Sequence, residues 1–446
     1  MTPTGQLAEF VAETGFRELP ADVVAAAKVA ILDGFANLLA GAGQPVAERE
    51  TGYVTGQGGV RESTVVGGGR VPAALAAFAN GVATHCLDYE IQGHPSAHGT
   101  SSILPTALAL GERTRASGAR LIAAYVVGWD VQQRLRTAGE LTALRAFHPP
   151  GVVGPLGAAA AAASVLGLDA AATATAFGLA ASRAGGLFAN NGTMAKAMHP
   201  GGAARSGVEC ADLAALGVTS NPEILDAHRG FADALFGGTA DWDAVAAGLG
   251  KTFHLVEPGF TIKRYPAEIY MQWPTEAMAT LRDRTGLSTE DVESVVVEPP
   301  LFRQDLSRPA PESGLDGKFS YEYCVTVALT EPRVGIRSFS DEVRFSPAVV
   351  ETLPKVRLRE NPMIPKDKRS TWARVTVRTH DGREVSETCR SFLGSIGNPM
   401  DRDTRLAKVA DCLGSVGAED RAGRLVDVVE RLEEVDDLAE LTSLLG

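Results

Sequence analysis

Three of the eight histidines fall within fourteen residues: His85, His94 and His98, in THCLDYEIQGHPSAHGTSSILP (84–105), with Asp88 and Glu90 among them. Imidazoles beside carboxylates suit proton transfer near neutral pH. His94 and His98, four apart and joined by Asp88, also have the spacing of a metal site on one helix face. Pro95-Ser96 follows His94 directly, and Gly93 and Gly99 flank the pair, which argues against a regular helix; no HExxH accompanies it. The competing reading is a metal-free acid–base loop emptying into a helix that starts near Ile103. For any one of these histidines the plain alternative is a polar loop without chemistry; the clustering favours a site.

A second cluster lies in GLFANNGTMAKAMHPGGAARSG (186–207), where Lys196 and His199 stand in an otherwise uncharged setting, with Arg205 further on. Lone cations among apolar residues need a partner, and an anionic substrate supplies one; a helix end whose carbonyls satisfy the cation is the plain alternative. FHPPGVVGP (147–155) places His148 before an Ala-rich helix, near a dipole end that favours bound anion. FTIKRYPAEIYMQW (260–273) places Lys263, Arg264, Tyr265 and Glu268 near a change in the character of the chain, and clefts between domains concentrate ligand sites. Neither GxxxxGK[ST] nor GxGxxG occurs around the glycine runs, so nucleotide binding is not expected.

The elements that must position these groups are mostly helical up to about residue 285. Segments 20–41, 72–86 and 103–117 repeat apolar residues at helical spacing, with Pro near the start and Gly near the end. Segments 155–167, 169–182 and 200–217 continue, rich in Ala and Gly. Residues 149–168 carry no charge over the length of a membrane span, but Ala and Gly gain little from lipid, so the segment reads as a buried helix. ESTVVGGGR (62–70) reads as a short strand and glycine turn. Beyond about 288, ESVVVEPP (293–300) and KVRLRE (355–360) alternate as strands do, and ARVTVRTHDGREVSETC (373–389) is a hairpin around Asp381-Gly382. KFSYEYCVTVALTEP (318–332) and DEVRFSPAVVETL (341–353) read as helices. The expectation is a mainly α protein: a large all-α domain from 1–267 and 396–446, and a smaller α+β lid domain over 268–395.

Composition narrows the function. The 446 residues carry 42 Lys and Arg against 54 Asp and Glu, a net charge of −12, which argues against nucleic-acid or anionic-membrane partners. Five cysteines without a CxxC pair argue against a disulfide framework or a cysteine zinc site. The start, MTPTGQLAEF, shows no secretory signal, so a cytoplasmic enzyme is expected.

The chain resembles the MmgE/PrpD family, which includes 2-methylcitrate dehydratase, cis-aconitate decarboxylase and iminodisuccinate epimerase. The resemblance rests on ILDGFANLLAG (31–41), STVVGGGR…AAFANGVATHCLDYE (63–90), HGTSSILPTALALGE (98–112), FHPPGVVGPLGAAAAAASVLGLD (147–169), GTMAKAMHPGGAARSGV (192–208), IKRYP (262–266), KFSYEYCVTVAL (318–329) and GNPMDRD (397–403), in family order over nearly the whole chain. It implies a cofactor-free homodimeric enzyme, with no metal, whose site lies between an all-α domain and an α+β lid and takes a small carboxylate. The family's functional positions fall on Asp88, His98, His148, Lys196, Lys263 and Tyr323. There are departures. The usual "DFDD" is DYEI, leaving Glu90 as the second acidic position and Ile91 in place of the third. His94 is an extra histidine. Glu268 stands where the decarboxylase branch has a His, and a carboxylate there repels a third substrate carboxylate or invites a cationic or hydroxyl group.

Proton removal next to a carboxylate adds negative charge to an anion, so cations and donors must meet it. The expected roles are Lys196, Lys263 and His148 holding substrate carboxylates, His98 moving the proton, Asp88 orienting it, and Tyr323 protonating a leaving hydroxyl or holding an oxygen, with Glu268 in contact with substrate. The expected reaction is dehydration. The alternatives are epimerisation or decarboxylation, a metal hydrolase built on His85, Asp88, His94 and His98, and a non-catalytic helical scaffold.

Overall fold

A computed structural model describes residues 1–139, 146–303, 306–367 and 369–445. It is mainly helical, with a small α+β part. The apolar stripes read from the sequence become the helices Ala21–Ala42, Ala73–His85, Thr100–Thr114, Gly118–Ala138, Gly154–Leu166, Ala170–Ala181 and Ala195–Ala215. Their inner faces form one core that reaches from Leu7 to Leu445, because the helices Arg402–Gly414, Ala422–Glu430 and Leu438–Leu445 return to pack on it. By length and composition Ala21–Ala42 is long and apolar enough to cross a membrane; its residues 30–41 are almost all buried in this core. The uncharged run at 149–168 gives the helix Gly154–Leu166, buried along nearly its whole length.

Small residues let these helices touch backbone to backbone. A side chain at Gly41 would sit 1.8 Å from the Ala83 carbonyl oxygen. One at Gly81 would lie 2.8 Å from the Cα of Gly201, where Ala73–His85 crosses Ala195–Ala215. That crossing matters because His85 ends the first helix and Lys196 opens the second.

A second core packs Gln272–Thr285 and Tyr321–Thr330 against a four-stranded sheet, in the order Val356–Leu358, Val292–Glu298, Ala373–Thr379, Glu384–Cys389. The first pair is parallel and the others antiparallel, the last being the hairpin around Asp381-Gly382. A two-residue strand, Phe260–Thr261, pairs with Gln92–Gly93 and ties the histidine loop to the segment that carries Lys263.

Three boundaries differ from the sequence reading. The helix expected near Ile103 starts at Thr100, immediately after the histidine loop. The helix expected at 200 starts at Ala195, since Pro200 so close to the N-terminus forfeits only the bond to the Lys196 carbonyl. The single helix expected over 341–353 is two, Asp341–Arg344 and Pro347–Thr352, with Pro347 beginning the second.

Candidate active site

A cavity of about 600 Å³ lies between the two cores, with Asp88, His98, His148, Lys196, Lys263 and Glu268 in its wall. Six of the seven expected site residues therefore meet there. The seventh does not. Tyr323 is fully buried in the second core, where its hydroxyl donates to the Ser338 carbonyl at 2.6 Å. The role expected for Tyr323 is corrected: its helix turns the ring onto Phe339 and away from the cavity.

Asp88 organises the site. After the helix ends at His85 the chain turns sharply, the Asp88 N–H donating to the His85 carbonyl at 2.8 Å and Asp88 itself adopting a φ of 52°. A non-glycine residue in this left-handed region costs energy, and such strain collects at functional sites. The turn aims the carboxylate between two ammonium groups: Lys196 Nζ is 2.9 Å from Oδ2 and Lys263 Nζ is 2.5 Å from Oδ1. Lys263 also donates to the Asp88 carbonyl at 2.9 Å. Burial alone would raise the Asp88 carboxyl, but Lys196 and Lys263 outweigh it and hold it well below the usual carboxylate range. Asp88 is thus a fixed anion, unsuited to receive a substrate proton.

Glu90 does for the imidazoles what Asp88 does for the lysines. It is fully buried, and Oε1 accepts from His85 Nδ1 at 2.7 Å and Ser101 Oγ at 2.9 Å, with His98 Nδ1 3.1 Å away. Burial raises its carboxyl, and His85 and His98 more than offset that, leaving it well below the ordinary value. An ionised carboxylate only accepts, so His85 Nδ1 carries the proton; His98 Nδ1 faces the same oxygen without making a hydrogen bond, and a proton there is the tautomer that this carboxylate favours. His85 Nε2 then has a lone pair, which accepts from Lys196 Nζ at 2.9 Å. In that tautomer His98 Nε2 has one too, and it lies 3.4 Å from both Asp88 Oδ1 and Gln92 Nε2.

Burial drives all these imidazoles toward neutrality. His85 is pushed down to about 4 by burial and then by Lys196. His98 is lowered by burial, aided by Lys263 and opposed by Glu90 and Asp88. His148 falls well below its ordinary value through burial and its neighbours Lys196, His85, His98 and His199. Its Nδ1 is 3.2 Å from His199 Nδ1, and its backbone caps the short helix Pro149–Val152. Near neutral pH the site presents neutral imidazoles, a proton acceptor at His98 Nε2, and ammonium groups beside it.

The set of four proposed for a metal does not converge. His94 Nε2 bonds Thr261 Oγ1 at 2.9 Å in the strand pairing, and Asp88 is taken by lysines. His85, Glu90 and His98 do have donor atoms within 4.8 Å of one another, but the Lys196 ammonium on the other face of His85 opposes a cation there. Arg264 and Tyr265 both engage Glu276, and Arg205 pairs with Glu209.

Sequence reasoning passed over Lys318. Its ammonium donates to the Leu87 carbonyl at 2.8 Å and to the Pro266 carbonyl at 2.9 Å, fastening the second core to the backbone just before Asp88. Burial pushes it down to about 8, with Asp88 and the Cys86 thiol opposing. The KFS element that contains it was the available signal. Glu268 caps the turn Ile269–Met271 by accepting from the Tyr270 N–H at 2.7 Å. Among the described residues the cavity wall holds four cationic side chains, Arg136, Lys196, Lys263 and Arg303, against the carboxylates of Asp88 and Glu268.

Comparison with known proteins agrees with the resemblance. The N-terminal domain model of the MmgE/PrpD family matches residues 5–243, and the C-terminal domain model matches residues 265–434. The chain is 31% identical over 439 residues to a protein named cis-aconitate decarboxylase from Mus musculus, covering 95% of this chain and 89% of that one. A Homo sapiens protein of the same name is 31% identical over 389 residues, covering 84% and 80%. One from Aspergillus terreus is 27% identical over 473 residues, covering 99% and 96%. With both domain models matched in order, the chain belongs to the MmgE/PrpD family.

Proposed function

We propose that this enzyme, a lyase of carboxylic acids, removes a proton from the carbon next to a carboxylate of a small di- or tricarboxylic acid and expels the neighbouring hydroxyl as water. The observation that carries this reading is the His98 imidazole in the same cavity wall as the ammonium groups of Lys196 and Lys263, its Nε2 engaged by a long contact of 3.4 Å from the Gln92 amide. Lys196 and Lys263 each direct two of three N–H groups at protein acceptors, which leaves one apiece for a substrate carboxylate. Fixed cations where charge develops in the transition state are worth more than the same cations in water.

In the proposed step His98 Nε2 takes the proton, and the C–H electron pair becomes the new C=C bond as the C–O bond breaks. The imidazolium then gives its proton to the departing oxygen. His98 ends neutral and no cofactor is consumed. Glu268 supports a hydroxylated substrate, because a carboxylate in the wall accepts a hydrogen bond from a hydroxyl and repels a further carboxylate.

Decarboxylation is the second reading, favoured by the similarity to proteins named cis-aconitate decarboxylase. On that reading Glu268 stands near the departing carboxylate and assists its loss by repulsion. Proton NMR in D₂O, with hydroxy di- and tricarboxylates and with cis-aconitate, separates the two. Loss of the hydroxyl-bearing carbon signal with deuterium exchange at the adjacent carbon supports dehydration. Conversion of cis-aconitate to a five-carbon acid supports decarboxylation. If neither occurs, or if His98→Ala matches wild type, the proton-transfer proposal is wrong.

A further inference from the structure

Two arginines two residues apart on the helix Gly118–Ala138 have opposite surroundings. Arg134 is fully buried and saturated: it pairs with Asp130 at 2.5 Å and donates to the carbonyls of Val245, Ala247, Gly248 and Thr252. Arg136, in the last turn, has one protein hydrogen bond among the described residues, from Nε to the Ser96 carbonyl at 3.1 Å, and no carboxylate partner. Its side chain lines the cavity. Burial lowers its guanidinium to about 10, and among the described residues the Tyr270 phenol opposes this. A half-buried guanidinium in a cavity wall, whose NH₂ groups make no hydrogen bond to protein among the described residues, is a site for an anion, and the planar fork selects a carboxylate.

The cavity charges fall into two groups. Asp88, Lys196 and Lys263 bond one another beside His98. Arg136 lines the same cavity as Tyr270, Glu268 and Arg303, whose charges act on one another through the Tyr270 phenol's surroundings, and it bonds the Ser96 carbonyl instead of Asp88. We propose that Arg136 binds the second carboxylate of the di- or tricarboxylate substrate whose reacting end is held by Lys196 and Lys263. This rests on the lyase reading for which end reacts. It also accounts for Glu268: the anion that Glu268 repels is received by Arg136, which leaves Glu268 facing the substrate's neutral or hydroxylated middle.

The test is equilibrium binding, which needs no turnover. Isothermal titration calorimetry would compare butyrate with the unbranched dicarboxylates from succinate to adipate. Wild type is expected to bind one diacid more tightly than butyrate. Arg136→Gln should weaken that diacid roughly ten- to a hundredfold, the loss typical of a charge-assisted pair, and leave butyrate within about twofold. Arg136→Lys should fall between, keeping charge without the fork, and it makes the same comparison if the Gln variant melts early. Equal weakening of diacid and monoacid, no weakening of either, or no wild-type preference for any diacid would overturn the proposal. Absence of deuterium exchange with this contrast intact would overturn the lyase reading and leave the carboxylate site standing.

Discussion

Replacing Glu90 by Gln removes one charge from a closed group and should alter rate and pH dependence in opposite senses. Glu90 touches no substrate; it acts through His98, whose Nδ1 lies 3.1 Å from Oε1, and through His85 at 2.7 Å. When His98 takes a proton, its imidazolium forms next to this carboxylate. At about 4 Å from the ring's delocalised charge and an effective dielectric of about 20, the attraction is about 4 kcal/mol. Gln keeps a carbonyl dipole that retains part of it, so the expected loss is about 2–3 kcal/mol, or about 30- to 150-fold in kcat. The pH profile moves the other way. His98 must be neutral to act as a base, so kcat/KM falls as pH drops through its pKa. Burial already sets that pKa below the ordinary histidine value, with Glu90 the main group opposing it. Without the carboxylate the acid limb should move to still lower pH. The assay is kcat and kcat/KM from pH 4.5 to 8, with circular dichroism to show that the fold is kept. A variant within threefold of wild type, or an acid limb displaced upward, would refute the assignment of Glu90 as the partner that stabilises His98 in its protonated form.

Tyr323→Phe should cost about 1 kcal/mol of stability through the lost bond to Ser338 and leave turnover within about twofold, since the hydroxyl does not reach the cavity; a hundredfold loss of kcat would restore the role first expected for it. Stability should fall on acidification from pH 7 to 5, measured as the urea midpoint. His85 stays neutral in the fold down to about 4, while an unfolded histidine protonates near 6.5, so the unfolded state binds more protons between those values. The loss is about 1 kcal/mol per pH unit for each such histidine. Below about pH 4 the depressed carboxyls of Asp88 and Glu90 add to it, because their contribution is present above the unfolded value and lost as pH drops toward their folded ones. Equal midpoints at pH 7 and 5 would contradict the neutral, buried histidines.

Residue type and order made Asp88, His98, His148, Lys196 and Lys263 candidates: Asp88 and His98 through a cluster of imidazoles and carboxylates, His148 and Lys196 through apolar or glycine-rich settings where a charge is unusual, and Lys263 through the IKRYP stretch of the resemblance. What each does was not legible. Asp88 and Glu90 are two residues apart and chemically alike, yet one takes lysines and the other imidazoles. The left-handed turn at Asp88 decides this, and no local pattern announces it. Arg134 and Arg136 are likewise indistinguishable in QQRLRT; only the tertiary environment makes the first structural and the second available. Tyr323 misled because a helix over 318–332 does not say which core the hydroxyl meets. The helical elements were clear from periodicity, whereas boundaries next to prolines were displaced by a few residues.

The Ala/Gly-rich helices and the charge cluster are one design problem. Two ammonium groups on one carboxylate repel each other, and burying them is favourable only while Asp88 holds both at short range. Lys196 comes from the first turn of one helix, Lys263 follows a strand paired to the histidine loop, and Lys318 grips the preceding carbonyl from the second core. Small shifts in any of the three would leave a charge unpaired. Backbone contact at Gly81 and Gly201 fixes the crossing of the helices that deliver His85 and Lys196, and larger side chains there would force them apart. The glycines thus set distances within the charge cluster as well as filling space. The same arrangement reverses the sign of the field. A chain of net charge −12 repels an anionic substrate at long range, but the four cations of the cavity wall exceed its two carboxylates where the substrate must stop. Raising ionic strength screens the distant repulsion more than the buried attraction, so modest salt should assist substrate encounter before it weakens binding.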